Sequence, residues 1–235
     1  MKLKSLIFKG KDELKNMLIF KKYRLIKKIG IGSFGFVYSA ENIKDKNMPK
    51  VAVKLEEKKL TVNSLLEKES NFLLLLKGVG IPKLIGYGYN SEYFILIQEL
   101  LGENLNQIRS SLTIDKFNIK DIAMIALQVI DRMEYIHSKN VIHRDIKPAN
   151  FLIGLENEAF IYLIDFGISR KYRSSKTGKH IQFSLTGRLF GTLKFLSYNA
   201  TRGVEQTRRD DMISVGYMLI YLSGTKLPWE HLSIR

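Results

Sequence analysis

The segment Ile142-His143-Arg144-Asp145-Ile146-Lys147-Pro148-Ala149-Asn150 carries a carboxylate, an ammonium and a carboxamide at offsets of 0, 2 and 5. Gathered in one short loop, that set can orient a hydroxyl, steady a phosphoryl group in transfer and ligate Mg²⁺. Asp165-Phe166-Gly167 follows twenty residues after Asp145, behind the apolar Tyr162-Leu163-Ile164. An aspartate that leaves a buried strand and is followed by glycine is well placed to hold a metal ion.

Two earlier features suit the same chemistry. Gly30-Ile31-Gly32-Ser33-Phe34-Gly35 is a glycine-rich turn, and glycine lets backbone N–H groups approach phosphate oxygens without a Cβ in the way. Alone the pattern is weak, because an ordinary hairpin with flexible glycines has it too. No helix follows it, so the dinucleotide-binding context is missing, and the GxxxxGK[ST] spacing of a P-loop is absent. Val51-Ala52-Val53-Lys54 sets a lysine in a hydrophobic strand. An edge-strand lysine facing water has the same sequence, but one that faces inward must find an anion. Glu69, fifteen residues on, is the candidate, and Glu67 is its rival on a different helix face. Taken singly each feature occurs by chance; the four in this order and at these separations point to phosphoryl transfer.

The elements that must position these residues fall into a β-rich first third and a helical remainder. Tyr23 to Ile29, Phe36 to Ala40, Lys50 to Leu55, Lys83 to Tyr87 and Tyr93 to Glu99 read as strands, and Ser64 to Leu76 as a helix. Gly102 then marks a hinge. Asp121 to Ser138 is the clearest helix, with Ile122, Ile125, Val129, Met133 and Ile136 recurring every three or four residues. Short strands are expected at Val141-Ile142, Phe151 to Ile153 and Phe160 to Ile164. Arg170 to Gly191 reads as a long, basic, functional loop, and Asp211 to Leu222 as a buried helix.

Composition removes other classes of function. The 235 residues are 45% hydrophobic and 26% charged, the balance of a folded chain. No apolar run approaches the roughly 18–20 residues of a membrane span; Lys77 ends the stretch Leu73 to Leu76. With no cysteine, disulfides, thiolate metal sites and cysteine nucleophiles are excluded, and four histidines make no case for structural zinc. The first 21 residues read as a basic extension; Lys9 cuts short Leu6-Ile7-Phe8, which argues against a secretory signal. The net charge of +15 calls for an anionic partner or a basic surface.

With these residues in view, the chain resembles the eukaryotic protein kinase superfamily, and within it the casein kinase I family. The finer likeness rests on Lys22-Tyr23-Arg24-Leu25, Gly78-Val79-Gly80-Ile81-Pro82, Glu99-Leu100-Leu101-Gly102, Tyr135-Ile136-His137-Ser138-Lys139-Asn140 and Thr177-Gly178-Lys179-His180-Ile181. Gly203 to Asp211 and Leu227-Pro228-Trp229 complete it, and Leu196-Ser197-Tyr198-Asn199 stands where most kinases carry Ala-Pro-Glu. The resemblance implies an α+β, two-lobed protein kinase-like fold: a β-rich lobe over about residues 22–99, a hinge at about 99–102, and a helical lobe from about 103 to 235 that is shortened at its C-terminal end. ATP and Mg²⁺ are the implied cofactors.

The implied roles follow residue by residue. Gly30, Gly32, Ser33 and Gly35 cover the phosphates; Lys54 binds the α- and β-phosphates and pairs with Glu69. Asp145 is the catalytic base, Lys147 contacts the γ-phosphate and favours Ser/Thr substrates, and Thr192 ties the two together. Asn150 and Asp165 hold the metal. Ile29, Val37, Ala52, Leu101, Leu152 and Ile164 sandwich the adenine, with backbone groups near Glu99 and Leu101 on its edge, and Asp211 braces the catalytic loop. Arg188 and Lys194 are candidates for a substrate anion, with solvated surface charges as the alternative.

Three departures from the family stand out. Gln98 holds the position where a larger apolar residue such as Met is usual, and a buried amide needs partners. Glu69 needs a one-residue shortening before Gly78. The chain stops 24 residues after Asp211. The expectation is an intracellular, monomeric Ser/Thr kinase, in cytoplasm, nucleus or both, acting on acidic or phosphorylated proteins, with no membrane and no specific nucleic-acid partner. The alternative is a catalytically impaired ATP-binding scaffold.

Overall fold

The computed structural model describes residues 14–31, 35–60 and 63–230. The first thirteen residues of the amino-terminal extension, and Gly32 and Ser33 of the glycine-rich turn, lie outside them. The chain packs as two compact units: one runs to Val62 and takes up Ile85–Leu100, and the other takes Asn63–Leu84 and everything from Leu101 onward.

The first unit is a six-stranded sheet in the order β1-β2-β3-β4-β6-β5. The strands are β1 (Leu18–Ile19), β2 (Tyr23–Ile31), β3 (Gly35–Asn42), β4 (Val51–Glu57), β5 (Leu84–Tyr89) and β6 (Tyr93–Glu99). β2 pairs antiparallel with β1 and β3, and β4 with β3 and β6. Period-two patterning sends Val51, Val53 and Leu55 of β4 to one face, where they meet Tyr23, Leu25, Tyr38, Ala40, Ile95 and Ile97 in a closed core. Residues 52, 54 and 56 take the other face.

Ile19 belongs to that core and is 1% exposed. The expected extension over residues 1–21 therefore ends inside the sheet. Leu18 pairs with Arg24 and Ile19 with Tyr23. Phe20 and Lys21 turn the chain with φ of 49° and 54°, and the Lys22 N–H donates to the Ile19 carbonyl at 3.0 Å. Two residues give no usable periodicity, which is why β1 escapes sequence inspection.

The second unit holds α1 (Leu65–Leu75), α2 (Leu105–Ser111), α3 (Ile119–Ser138), α4 (Tyr198–Thr201) and α5 (Arg208–Leu222). Two small ribbons join them: β7 (Val141–Ile142) with β10 (Arg170–Lys171), and β8 (Phe151–Ile153) with β9 (Ile161–Leu163). α1 was expected in the lobe over residues 22–99, but it groups with the second unit. The residues behind it are tied there: Leu163 donates its N–H to the Gly80 carbonyl at 2.8 Å, and the Tyr135 hydroxyl donates to the Lys77 carbonyl at 2.9 Å.

Local caps explain where helices start. Ser64 Oγ accepts the Glu67 N–H at the head of α1, and Asn118 Oδ1 accepts the Asp121 N–H at the head of α3. α2 was not expected; its turn is nucleated by Asn104, whose side chain accepts from Asn106 and Gln107. α3 buries Ile125, Val129, Met133 and Ile136 of the stripe its periodicity predicted and leaves Ile122, nearer its start, half-buried. Among the described residues no helix is long and apolar enough to cross a membrane.

Truncating Ile19 to Ala should destabilise the protein by about 2–4 kcal/mol, as for other core isoleucines. Leu18→Ala, on the exposed side of the same strand, should stay within about 0.5 kcal/mol. Urea denaturation of both variants checks whether β1 is part of the folded core.

Candidate active site

The loop between β7 and β8 is where the second unit concentrates its polar groups. Asp145 is 9% exposed, and each of its oxygens is engaged. Oδ1 accepts the Thr192 hydroxyl at 2.7 Å, and Oδ2 lies 2.7 Å from Lys147 Nζ. Lys147 Nζ also donates to Thr192 Oγ1 at 3.1 Å, closing a triangle of carboxylate, ammonium and hydroxyl. Asn150 Nδ2 donates to the Asp145 carbonyl at 2.8 Å and to Oδ2 at 3.2 Å. Burial by itself raises the Asp145 pKa, but the Lys147 ammonium and the Thr192 hydroxyl outweigh it and hold the carboxyl below its ordinary 3.8. The group is therefore a carboxylate at neutral pH.

Asp211 of α5 fixes the loop's backbone. Its Oδ2 accepts the His143 N–H and its Oδ1 the Arg144 N–H, both at 2.9 Å, while His137 Nε2 lies 2.9 Å from Oδ2. Arg144 sits at φ 71°, a left-handed conformation uncommon for a side-chain-bearing residue and held here by these contacts. Gly191, at φ 106°, passes so close that a Cβ would lie 2.4 Å from the Arg144 carbonyl oxygen. Only glycine lets the chain leading to Thr192 approach the loop.

Asp165 follows β9 with φ 69°. Phe166 beside it is fully buried, edge-on to the His143 ring at 5.1 Å. His143 links the two halves of the site: Nδ1 accepts the Asp145 N–H at 3.2 Å, and Nε2 donates to the Ile164 carbonyl at 3.0 Å. The Ile164 N–H donates in turn to the Asn150 carbonyl at 3.0 Å. Asn150 and the residue preceding Asp165 are thereby laced together. Asn150 spends its amide N–H groups on Asp145, which leaves carbonyl and carboxylate oxygens as the donor set of this pair. Oxygen donors suit a hard cation such as Mg²⁺, which usually takes one or two carboxylates and completes its shell elsewhere. Among the described residues no group of three or more His, Asp or Glu gathers as a self-sufficient metal cage.

Of the two carboxylates considered on α1, Glu69 is 2% exposed and Glu67 is exposed. Leu101 is buried, and Leu152 and Ile164 are half-buried, in the second unit. The remaining expected residues belong to the first unit. Ile29 is 44% exposed on β2, Gly30 pairs with Val37, and Val37 with Lys54. Ala52 pairs with Gln98, and Val51 with Glu99. Gly35 has a structural reason besides any phosphate: a Cβ there would fall 1.7 Å from the Leu55 carbonyl oxygen.

The two candidate anion residues have different surroundings. Arg188 is exposed. Lys194, expected as a cation open to substrate, is instead paired with Glu230 and stacked 3.9 Å from the centre of the Tyr221 ring. Neutralising that lysine required knowing that the chain brings Glu230 back to it, which spacing does not reveal.

Sequence inspection missed three supports. Glu205, 9% exposed, lies 2.7 Å from Arg170 and 3.8 Å from Arg144, whose guanidinium burial otherwise disfavours. Asp210 accepts the Ser197 hydroxyl at 2.6 Å and the Thr207 N–H at 2.8 Å. His143 joins the two halves as described. The signal for Asp210 was present as Thr207-x-x-Asp210 before an apolar run, a capping pattern.

Asp211→Ala strands two buried N–H groups and should cost about 3 kcal/mol of stability. Hydrogen exchange at His143 and Arg144 should accelerate together, which chemical denaturation followed by exchange mass spectrometry can read.

The protein kinase domain model matches residues 23–234. That span takes in the carboxylate–ammonium–hydroxyl triangle, its Asp211 brace and strands β2 to β6, with Lys54 on β4, and the chain belongs to the protein kinase superfamily.

Proposed function

We propose that this kinase is a Ser/Thr protein kinase of casein kinase I type, transferring the ATP γ-phosphate to hydroxyls in acidic or phosphate-primed protein sites. The observation that carries the reading is the triangle of Asp145, Lys147 and Thr192. Protein kinase domains generally use ATP and Mg²⁺.

Asp145 accepts the proton of the substrate hydroxyl; its depressed pKa keeps it ionised for that task. Lys147, within reach of the same carboxylate, compensates charge on the transferring phosphoryl group. Thr192 holds the two in register. Lys54 binds the α- and β-phosphates, backed by Glu69, while Gly30, Gly32, Ser33 and Gly35 supply backbone N–H groups. Ile29, Val37, Ala52, Leu101, Leu152 and Ile164 enclose the base. Mg²⁺ held by Asn150 and Asp165 would neutralise charge on the β- and γ-phosphates. Catalysis in this scheme is positioning and charge compensation, with little covalent work for the protein. Ser/Thr choice is supported by Lys147 and Thr192 standing beside the base, and the acidic preference by exposed Arg188.

Asp145→Asn should lower kcat by about 10²–10⁴-fold in a radiolabel assay on casein, with the wild-type label on Ser and Thr. A wild type that binds ATP yet transfers nothing would instead show an ATP-binding scaffold.

Lys147→Met removes the main group that lowers the Asp145 pKa, and leaves burial, the largest single influence, raising it against the smaller lowering by the Thr192 hydroxyl and His143. The acid limb of the pH–rate profile, set by protonation of a carboxylate, should move to higher pH. The stability contributed by this depressed carboxylate is present at neutral pH and lost as pH falls through its lowered pKa; in the variant that loss should begin at higher pH.

A substrate anion reaching Lys194 must displace Glu230. Glu230→Gln should lower KM for acidic peptides by up to about fivefold, the scale of an exposed ion pair, with little change for neutral ones.

A further inference from the structure

The turn between β1 and β2 runs from Ile19 to Lys22 and is closed by the Lys22 N–H, which donates to the Ile19 carbonyl at 3.0 Å. Both central residues stand at positive φ, Phe20 at 49° and Lys21 at 54°. Glycine, asparagine and aspartate dominate such turns, and a bulky side chain there strains the backbone. Packing accounts for part of the choice: the Phe20 ring lies against Gly88 of β5, where a Cβ would come within 2.8 Å of it. That contact does not hide the ring, which stays 45% exposed, as does Leu18 two residues before it. Nor does it explain Lys21, exposed at the second strained position. Backbone strain kept at an exposed turn points to side chains held out for a use beyond the fold.

The charge around the turn says what that use is. Lys15, Lys21 and Arg24 are exposed and Lys22 is half-buried. Arg24 meets Glu41 at 3.7 Å, while no carboxylate among the described residues lies within ion-pair distance of the three lysines. The sequence leading into the turn is of the same kind: residues 2–24 hold seven lysines and one arginine against Asp12 and Glu13, with Leu3, Leu6, Ile7 and Phe8 interspersed. Cations with apolar side chains between them match a surface that is anionic outside and hydrocarbon beneath. A partner of fixed geometry, such as a nucleic-acid backbone or a carboxylate, is met more often by the planar fork of arginine. Lysine is a point charge on a flexible stem, which suits headgroups that move. The expectation of no membrane partner rested on the missing span, which a peripheral contact does not need. We propose that the β1–β2 turn is a membrane-contact tip: Leu18 and Phe20 enter the headgroup boundary of an anionic bilayer, and Lys15, Lys21 and Lys22 meet its negative charges.

The test uses the 235-residue chain and co-sedimentation with vesicles of phosphatidylcholine alone or of phosphatidylcholine mixed with phosphatidylserine. The wild type should partition onto the phosphatidylserine vesicles, come off as salt is raised, and stay in solution with phosphatidylcholine alone. Lys21→Glu alters one exposed side chain and should lower the partition roughly tenfold or more, because each lysine at an anionic surface is worth about fivefold. Phe20→Asn combined with Lys21→Gly installs the pair that such a turn prefers. It should keep a cooperative urea transition while losing about tenfold in partition; should the pair unfold the sheet, Lys21→Glu alone decides. Variants that sediment like the wild type overturn the inference, since lysines elsewhere then carry the binding. So does a wild type that ignores phosphatidylserine or binds both vesicles alike. Tighter retention on duplex DNA than on phosphatidylserine vesicles at the same salt assigns the lysines to nucleic acid and also overturns it. Phosphoryl transfer enters none of these outcomes, so the inference stands or falls apart from the function proposed above.

Discussion

A single buried carboxylate, Asp211, accepts the main-chain N–H groups of His143 and Arg144 and contacts the His137 ring. Those amides belong to a loop whose Arg144 stands at a positive φ, a conformation that needs external support. Everything the loop presents depends on this brace. With the backbone fixed there, Asp145 and Lys147 are set at one end of a run of short contacts, and Asn150 closes back onto Asp145 at the other. Removing a partner from such a network costs more than the net worth of any one bond, because the groups left behind stay buried without water.

The charges of the loop are balanced locally. Burial would push Asp145 toward the neutral acid, and Lys147 with Thr192 reverses that. Burial likewise opposes the Arg144 guanidinium, and Glu205 compensates it while also engaging Arg170. Even Lys194, on a more open surface, has Glu230 beside it. The +15 of the whole chain is thus a poor guide to the charge any incoming group meets, since several cations that looked available in the sequence are already answered by carboxylates distant in sequence.

Glycine serves packing in this protein as much as any ligand. Gly35 sits in a run that reads as a phosphate-binding turn, yet the Leu55 carbonyl oxygen alone forbids a side chain there. Gly191, in a segment of no evident pattern, is required by the Arg144 carbonyl. A glycine-rich motif and an isolated loop glycine answer to the same steric limit, and only three-dimensional proximity tells what stands on the other side.

The sequence alone determined the local order of this protein. Period-two runs marked five strands of the sheet, the three-to-four spacing of Ile125, Val129, Met133 and Ile136 marked α3, and the order of the glycine turn, Lys54, Asp145 and Asp165 pointed to phosphoryl transfer. Those signals are local because pleat, helical turn and loop chemistry repeat within a few residues. β1 and α2 were too short to show a period, and the grouping of α1 with the second unit depended on distant ties to Tyr135 and Leu163. Tertiary structure alone decided that Glu205 meets Arg170 and Arg144, that Glu230 reaches Lys194, and that the Gln98 carbonyl is sealed with no partner among the described residues. The physical reason is that hydrogen bonds, ion pairs and desolvation act over a few ångströms of space, and separation along the chain carries almost no information about that distance.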